Sequence, residues 1–248
     1  MKFRVIPLQT NSAFLNMAID QSVSEAVAKK DSPPTIRFYQ WQPSAVSIGC
    51  FQSMDDEVDT KKCKELGIDI IRRRTGGGAV YHDSNGEITY SVIMPENLLS
   101  VGITESYYII CGWIVKSLSH LGITAEFKPI NDIIAGGKKI SGNAQTRRHG
   151  VILQHGTILY DVDVDKMFSV LKVPDEKVRD KMIAAVKDRV TRILNFKNVS
   201  KDEVYHALLK GFTENKDWEF GQLTEKENLY AEELAENLYK TKEWNFKR

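Results

Sequence analysis

The chain is predicted to fold as α+β: a mixed or antiparallel β-sheet flanked by helices. Strand-like runs dominate up to Tyr160 and helical periodicity takes over from Asp165, without the strict alternation that a doubly wound parallel sheet requires. Size supports one substantial core. A chain of 248 residues, 42% hydrophobic and 27% charged, buries roughly 70–75% of its unfolded surface, so neither disulfides nor a structural metal is needed. No internal repeat, low-complexity tract or linker divides it, which predicts a single domain over 1–248.

Taken in order, Asn11-Ser12 cap a 3.6-residue apolar period through Phe14, Leu15, Ala18, Ile19, Val23 and Val27, predicting a helix that stops before Ser32-Pro33-Pro34. Ile36–Trp41 and Ala45–Ile48 are read as strands on either side of a turn at Gln42-Pro43-Ser44. Asp55–Leu66 is acidic first and basic last, as a helix dipole favours, with Gly67 as its C-terminal cap. A strand begins at Ile68, a glycine-rich turn follows at 76–78, then a strand at Ile88–Met94 and a helix at Thr104–Leu121 capped by Gly122. Strands are expected at Glu126–Lys128, Asp132–Ala135, Lys138–Thr146 and Val151–Tyr160, the last two as a hairpin across 147–150. Helices are expected at 165–172, 175–188, 201–214 and 223–240, with a short extended piece near Val190–Leu194.

Composition narrows the function classes. Lys+Arg 34 against Asp+Glu 33 gives a formal charge of +1, so no global field gathers nucleic acid or anionic membrane. Cys50, Cys63 and Cys111 are widely spaced and odd in number, which argues against an oxidised scaffold and a zinc cluster. The N-terminus lacks a signal-peptide stretch and no apolar run approaches the roughly 20 residues of a membrane span. A cytoplasmic location is expected.

Two segments carry chemistry. Arg72-Arg73-Arg74-Thr75-Gly76-Gly77-Gly78 places three residues without Cβ beside three guanidinium groups, an anion cradle whose backbone N–H groups can approach a ligand closely. It is neither a Walker A loop nor a dinucleotide fingerprint. The second is Gly136-Gly137-Lys138-Lys139-Ile140-Ser141-Gly142, preceded by Asn131-Asp132. An uninterrupted strand puts Lys139 on one face with Ser141, Asn143 and Gln145, so one ammonium points into a polar site where it can neutralise a developing oxyanion. His155 lies mid-strand, and whether it shares a face with Lys139 depends on the register of the 147–150 turn. At most one of the neighbours His82 and Asp83 enters such a site. No intrinsic metal site is expected, and no Gly-x-Ser-x-Gly elbow marks a serine hydrolase.

Arg-Arg-x-x-Gly-Gly-Gly-Ala-Val-Tyr-His-Asp, then Asn-Asp-Ile, Lys-Lys-Ile-Ser-Gly and His-Gly-Thr, in this order, resemble the lipoate-protein ligase A family, related in fold to the catalytic domain of biotin protein ligases and class II synthetases. The resemblance covers nearly the whole chain and is similar to archaeal members at 173–181 and Thr241–Asn245. It implies two steps: lipoate and Mg-ATP give lipoyl-adenylate and pyrophosphate, then a lysine amine of an acceptor domain attacks the anhydride. Such acceptors are 2-oxoacid dehydrogenase E2 and glycine cleavage H protein.

Residue by residue, the resemblance gives ATP to Arg72, Arg73, Gly78, Ala79, Val80, Tyr81 and Lys139, and lipoate to Arg72, Gly76, Gly77, His82, Lys139 and His155. Lys139 is the expected catalytic group, contacting both α-phosphate and acyl carbonyl, with Asn131 and Asp132 expected to help place Mg-ATP. The longer members carry a C-terminal accessory domain, and the expectation here is a separate small accessory subunit without which ligation is slow. Rival readings are an octanoyl- or lipoyl-transferase that carries the acyl group on a cysteine and uses no ATP, a non-catalytic lipoate or nucleotide carrier, and a biotin ligase. The transferases place their cysteine just before the lysine strand, where residues 124–137 contain none.

Overall fold

The structure, a computed structural model, describes residues 1–172, 184–185 and 187–247. It is a mixed α+β fold, as predicted. Eight strands form the main sheet in the order β11-β1-β2-β6-β10-β9-β8-β7. These are β1 (Phe3–Asn11), β2 (Thr35–Trp41), β6 (Glu87–Pro95), β7 (Ala125–Lys128), β8 (Asp132–Ala135), β9 (Lys138–Arg148), β10 (Val151–Leu159) and β11 (Trp218–Phe220). The pairs of β1 are parallel and the others antiparallel. A second sheet has β3 (Ala45–Ile48) between β4 (Asp69–Arg72) and β5 (Val80–His82).

Both faces of the main sheet are covered, and β2 shows how alternation serves both. Ile36 and Phe38 join the core beneath α4 (Ile103–His120) and α6 (Lys201–Thr213), with Ile110, Ile114, Leu208 and Phe212. Tyr39 and Trp41 join the opposite core beneath α1 (Ala13–Ala28) and α7 (Glu225–Leu234), with Met17, Val23 and Ala231. The small sheet packs with α2 (Met54–Glu57), α3 (Thr60–Glu65) and α5 (Val164–Val170) around Val46, Ile48, Val58 and Val170. Ser12 caps α1 as expected, accepting from Leu15 N–H at 3.3 Å. Gly67 and Gly122 take the left-handed conformation expected of their caps, φ 64° and 74°. Among the described residues no helix is long and apolar enough to cross a membrane.

The departures have local causes. Strand β1 was not anticipated because Pro7 interrupts its pattern, and the ladder to β2 shifts register between Ile6 and Gln9, around the proline. The helix expected at Asp55–Leu66 is two helices, because Val58 is extended and bridges Leu171, while Asp59 N–H donates to Val170 O at 2.9 Å. At 190–194 Val190 makes a single parallel bridge to Lys139, followed by a 3-10 turn at Ile193–Asn195. The helix expected at 223–240 begins after the Thr224 cap and ends in a π-helical turn, Ala235–Tyr239, before the short α8 (Lys242–Asn245). The helix expected at 175–188 and the 173–181 stretch fall largely outside the described residues.

Two features of β9 decide the site. His149 and Gly150 both have positive φ, 52° and 72°, a two-residue turn that pairs Arg148 with Val151 and therefore Ala144 with His155. Farther along, Ile133 pairs with Ser141 but Ile134 with Lys139, so Ile140 is an extra residue and β9 bulges there.

Candidate active site

The bulge reverses the alternation of β9. Lys139 is expected beside Ser141, Asn143 and Gln145, but the extra residue puts it on the face of Gly142, Ala144 and His155 instead, and Gln145 turns toward α4 to bond Ser106 and Gln154. The hairpin register alone would have separated Lys139 from His155; the bulge reunites them. Of these, Lys139, Gly142, Asn143, Ala144 and His155 line one cavity of about 750 Å³, together with Arg73, Gly77, Gly78, Ala79, Val80, Tyr81 and His82. That volume sits within the roughly 300–1,000 Å³ typical of small-molecule sites. Asn131, Asp132 and Asn143 complete its polar side, while Met17, Tyr39, Trp41, Val162 and Met167 give it apolar walls.

Local sequence explains how the lysine lies. Its ammonium is 2.7 Å from Asp132 Oδ1, and both side chains remain about one-third exposed. A Cβ on Gly142 would stand 2.8 Å from Lys139 Cε and Nζ, so the glycine of Lys-Lys-Ile-Ser-Gly lets the side chain fold flat across the strand. Gly156 has a parallel purpose: a Cβ there would meet Asn143 Oδ1 at 2.1 Å, and Asn143 crosses that space to accept from Tyr90 O–H at 2.7 Å. Asn143 also exchanges amide bonds with Asn131, its Nδ2 donating to Asn131 O at 2.9 Å.

The glycine turn is held from behind. Arg73 is buried and its Nη2 donates to Gly76 O at 2.7 Å and Gly78 O at 2.8 Å, fixing both carbonyls. Gly77 has φ 93°, a left-handed conformation that favours glycine, and packs so tightly on Gly49 that a Cβ on the latter would lie 2.1 Å from Gly77 O. Among the described residues the N–H groups of Gly76, Gly77, Gly78 and Ala79 find no protein acceptor. With the Gly76 and Gly78 carbonyls turned to Arg73, the amides of Gly77, Gly78 and Ala79, which line the cavity, form a cradle for an anion. Burial pushes the Arg73 guanidinium down to about 10, which leaves it cationic at neutral pH.

Both histidines line the cavity. His82 stacks on Trp41 with ring centres 4.0 Å apart and bonds Glu87 Oε1 and Ser47 Oγ, each at 2.8 Å. Its neighbour Asp83 points elsewhere, accepting the turn N–H groups of Asn85 and Gly86. His155 bonds Thr75 Oγ1 at 2.8 Å and Asp20 Oδ2 at 3.2 Å. Burial pushes His155 below the ordinary imidazole value although Asp20 opposes the shift. Burial alone would raise Asp20, but the Arg37 charge 2.8 Å away and the His155 hydrogen bond hold it below the usual carboxylate range.

Two expected ligands lie elsewhere. Arg72 does not line the cavity: its guanidinium donates to Gly49 O, Cys50 O, Gln52 O, Trp244 O, Asn245 O and Lys247 O at 2.6–3.2 Å. It ties the C-terminal segment to the loop after β3, six carbonyls consuming every N–H, so the nucleotide and lipoate roles expected of it have no donor left. Gly76 is likewise outside the lining, only its carbonyl being engaged by Arg73. Asp20, Ser47, Trp41 and Glu87 were missed. Asp20 alone carried a signal, an acid three residues from both Met17 and Val23 on the buried stripe of α1.

None of the three cysteines lines the cavity. Cys63 and Cys111 are buried thiols, each pushed up to about 12 by burial. Among the described residues no group of three or more His, Cys, Asp and Glu is placed to hold a metal ion.

Residues 12–213 match the lipoyl protein ligase A/B catalytic domain family. Among curated relatives, an octanoyltransferase LipM from Brevibacillus brevis is 35% identical over all of this chain and 99% of its own. The lipoate-protein ligase A subunit 1 of Thermoplasma acidophilum is 38% identical over 99% of this chain and 97% of its own. Among solved structures, an archaeal bi-partite lipoate protein ligase, studied with its E2 lipoyl domain from T. acidophilum, superposes with a TM-score of 0.90 at 36% identity over 99% and 96% of the two chains. A lipoate-protein ligase A bound with ATP superposes with a TM-score of 0.86 at 34% identity over 99% of each. With its catalytic-domain match and its near full-length relatives, the chain belongs to the lipoyl protein ligase A/B family, whose named members here are lipoate ligases and octanoyltransferases.

Proposed function

We propose that this protein is an ATP-dependent lipoate-protein ligase. The observation that carries the reading is that Lys139, the anion-facing glycine turn and both histidines share one cavity that no cysteine lines. A transferase that carries its acyl group as a thioester needs a thiolate against the substrate, and Cys63 and Cys111 are buried thiols. The octanoyltransferase relatives support the rival reading at similar identity; what supports the ligase is the cavity chemistry rather than the likeness. A ligase A bound with ATP and a bi-partite ligase support the nucleotide and the partners proposed below.

In the proposed reaction the lipoate carboxylate oxygen forms a bond to the α-phosphorus as the bond to the departing pyrophosphate breaks. Lys139 then faces the α-phosphoryl and acyl oxygens, where charge grows in the transition state. The free amides of Gly78 and Ala79 hold the nucleotide, with Val80 and Tyr81 lining the cavity beside them, and the lipoyl arm lies along the apolar wall of Met17, Tyr39 and Trp41 near Gly77, His82 and His155. Magnesium arrives with the ATP phosphates, and Asp132, already paired with Lys139, is the carboxylate assigned to face it, with Asn131 beside it. In the second step an acceptor lysine amine bonds to the acyl carbon, AMP leaves with the anhydride oxygen, and the amine proton passes to solvent. The acceptors are lipoyl domains of 2-oxoacid dehydrogenase E2 and glycine cleavage H protein, with a separate small subunit assisting, in the cytoplasm.

The test is lipoate-dependent pyrophosphate release from ATP, run beside incubation with octanoyl carrier protein. Release with lipoate and no protein-bound thioester supports the ligase. A thioester on any cysteine without ATP consumption overturns it.

A further inference from the structure

Arg73 has five N–H donors and all five are occupied. Nε donates to Thr75 Oγ1 at 3.1 Å, Nη1 to Ser47 O at 3.1 Å and Ser47 Oγ at 3.2 Å, and Nη2 to Gly76 O and Gly78 O. No donor is left for a ligand. Each hydroxyl it touches leads on to a histidine and then a carboxylate. One chain runs Thr75, His155, Asp20; the other runs Ser47, His82, Glu87.

The directions of these bonds follow from what each group can give. A guanidinium only donates, so both hydroxyl oxygens accept from Arg73, and their own protons are free for the histidine Nε2 atoms. Asp20 also receives Arg37 Nη1 and Ser91 O–H, both at 2.8 Å, so it acts as an acceptor toward His155 Nδ1. Glu87 Oε1 receives Thr89 O–H at 2.9 Å and is the acceptor toward His82 Nδ1. Every bond in both chains then has one donor and one acceptor when each ring carries its proton on Nδ1 alone.

We infer that Asp20–His155–Thr75 and Glu87–His82–Ser47 are twin relays that lock the Arg73 guanidinium in place, making Arg73 a positioning residue that shapes the glycine turn from behind. The relays hold both imidazoles as acceptors at Nε2, so neither histidine transfers a proton to substrate. The inference deepens the proposed function, since the turn so shaped is the one assigned to the nucleotide.

Long-range ¹H–¹⁵N spectra of the full chain, assigned with His82→Gln and His155→Gln, read the protonated nitrogen of each ring. Both rings are expected as Nδ1–H tautomers; an Nε2–H tautomer in either overturns the relay. Solvent exchange of the Arg73 Nε–H gives a second readout in variants. Thr75→Val is expected to speed it at least tenfold and to weaken ATP binding about tenfold, whereas Thr75→Ser, which keeps the hydroxyl, exchanges like the wild type. Slow exchange retained in folded Thr75→Val overturns the inference. If the wild type shows the stated tautomers and slow exchange but binds no ATP, the relays stand and the nucleotide reading falls.

Discussion

Replacing Arg72 by Met separates a ligand arginine from a structural one. Of its six acceptors, Asn245 O lies in a fully buried bond and has no other donor among the described residues, and stranding such an acceptor costs about 1–3 kcal/mol. Gly49 O keeps the N–H of Gln52 at 3.1 Å. The remaining four are partly buried and can be rehydrated, while removing a guanidinium whose pKa burial already pushes down returns some desolvation. The expected loss is about 2 kcal/mol, which for a chain of this length lowers Tm by roughly 4–8 °C. Thermal unfolding followed by circular dichroism reads this directly. Titration of ATP and of lipoate into the folded variant, below its new Tm, is expected to give affinities within about threefold of the wild type, the uncertainty a factor of that size implies being under 1 kcal/mol. A Tm within 2 °C of the wild type together with lost binding of either ligand would refute this reasoning and restore Arg72 as a ligand.

Lys139→Ala is expected to lower the rate of adenylation by roughly 10²–10³ with ATP affinity little changed, because its charge meets charge that develops in the transition state; single-turnover pyrophosphate release against ATP titration checks the split. Gly142→Ala pushes a Cβ to 2.8 Å from the lysine head, so activity falls at least about tenfold while Tm barely moves; an active variant would mean that the folded-flat pose is dispensable. Stability is expected to fall with acid in two stages. His155 has a folded pKa below its ordinary value of 6.5, so the unfolded chain takes up its proton first and stability declines as pH drops below about 6.5. Asp20, whose folded pKa is lowered, contributes fully above the ordinary value of 3.8 and loses that contribution as pH falls from there through the lowered value. Urea midpoints between pH 8 and 5 are expected to decline, and His155→Gln to flatten the decline; a midpoint that holds or rises through that range contradicts the assignment.

Short-range patterns were legible where one element determines its own form. The Ser12 cap, the apolar period of α1, the caps at Gly67 and Gly122 and the β9–β10 hairpin are all local. Illegible were outcomes set by distant partners. Whether Lys139 and His155 share a face depended on one extra residue, Ile140, whose bulge arises from pairing with β8. The break at Val58 is made by Leu171, more than a hundred residues away. Arg72 and Arg73 are adjacent and alike, yet one faces the chain end and the other the glycine turn. Arg72 closes β4 and Arg73 is the first residue beyond it, and only the fold says what lies beside each. The glycine triplet was legible as a cradle, whereas the histidine and carboxylate chains behind it join α1, β3, β5, β6 and β10 and leave no local mark.

Lipoate-dependent exchange of labelled pyrophosphate into ATP, measured on the purified chain, asks whether the cavity makes an acyl-adenylate. Exchange that requires lipoate and disappears in Lys139→Ala is the expected result. Absence of exchange, with octanoyl transfer from carrier protein proceeding without nucleotide, would contradict the account.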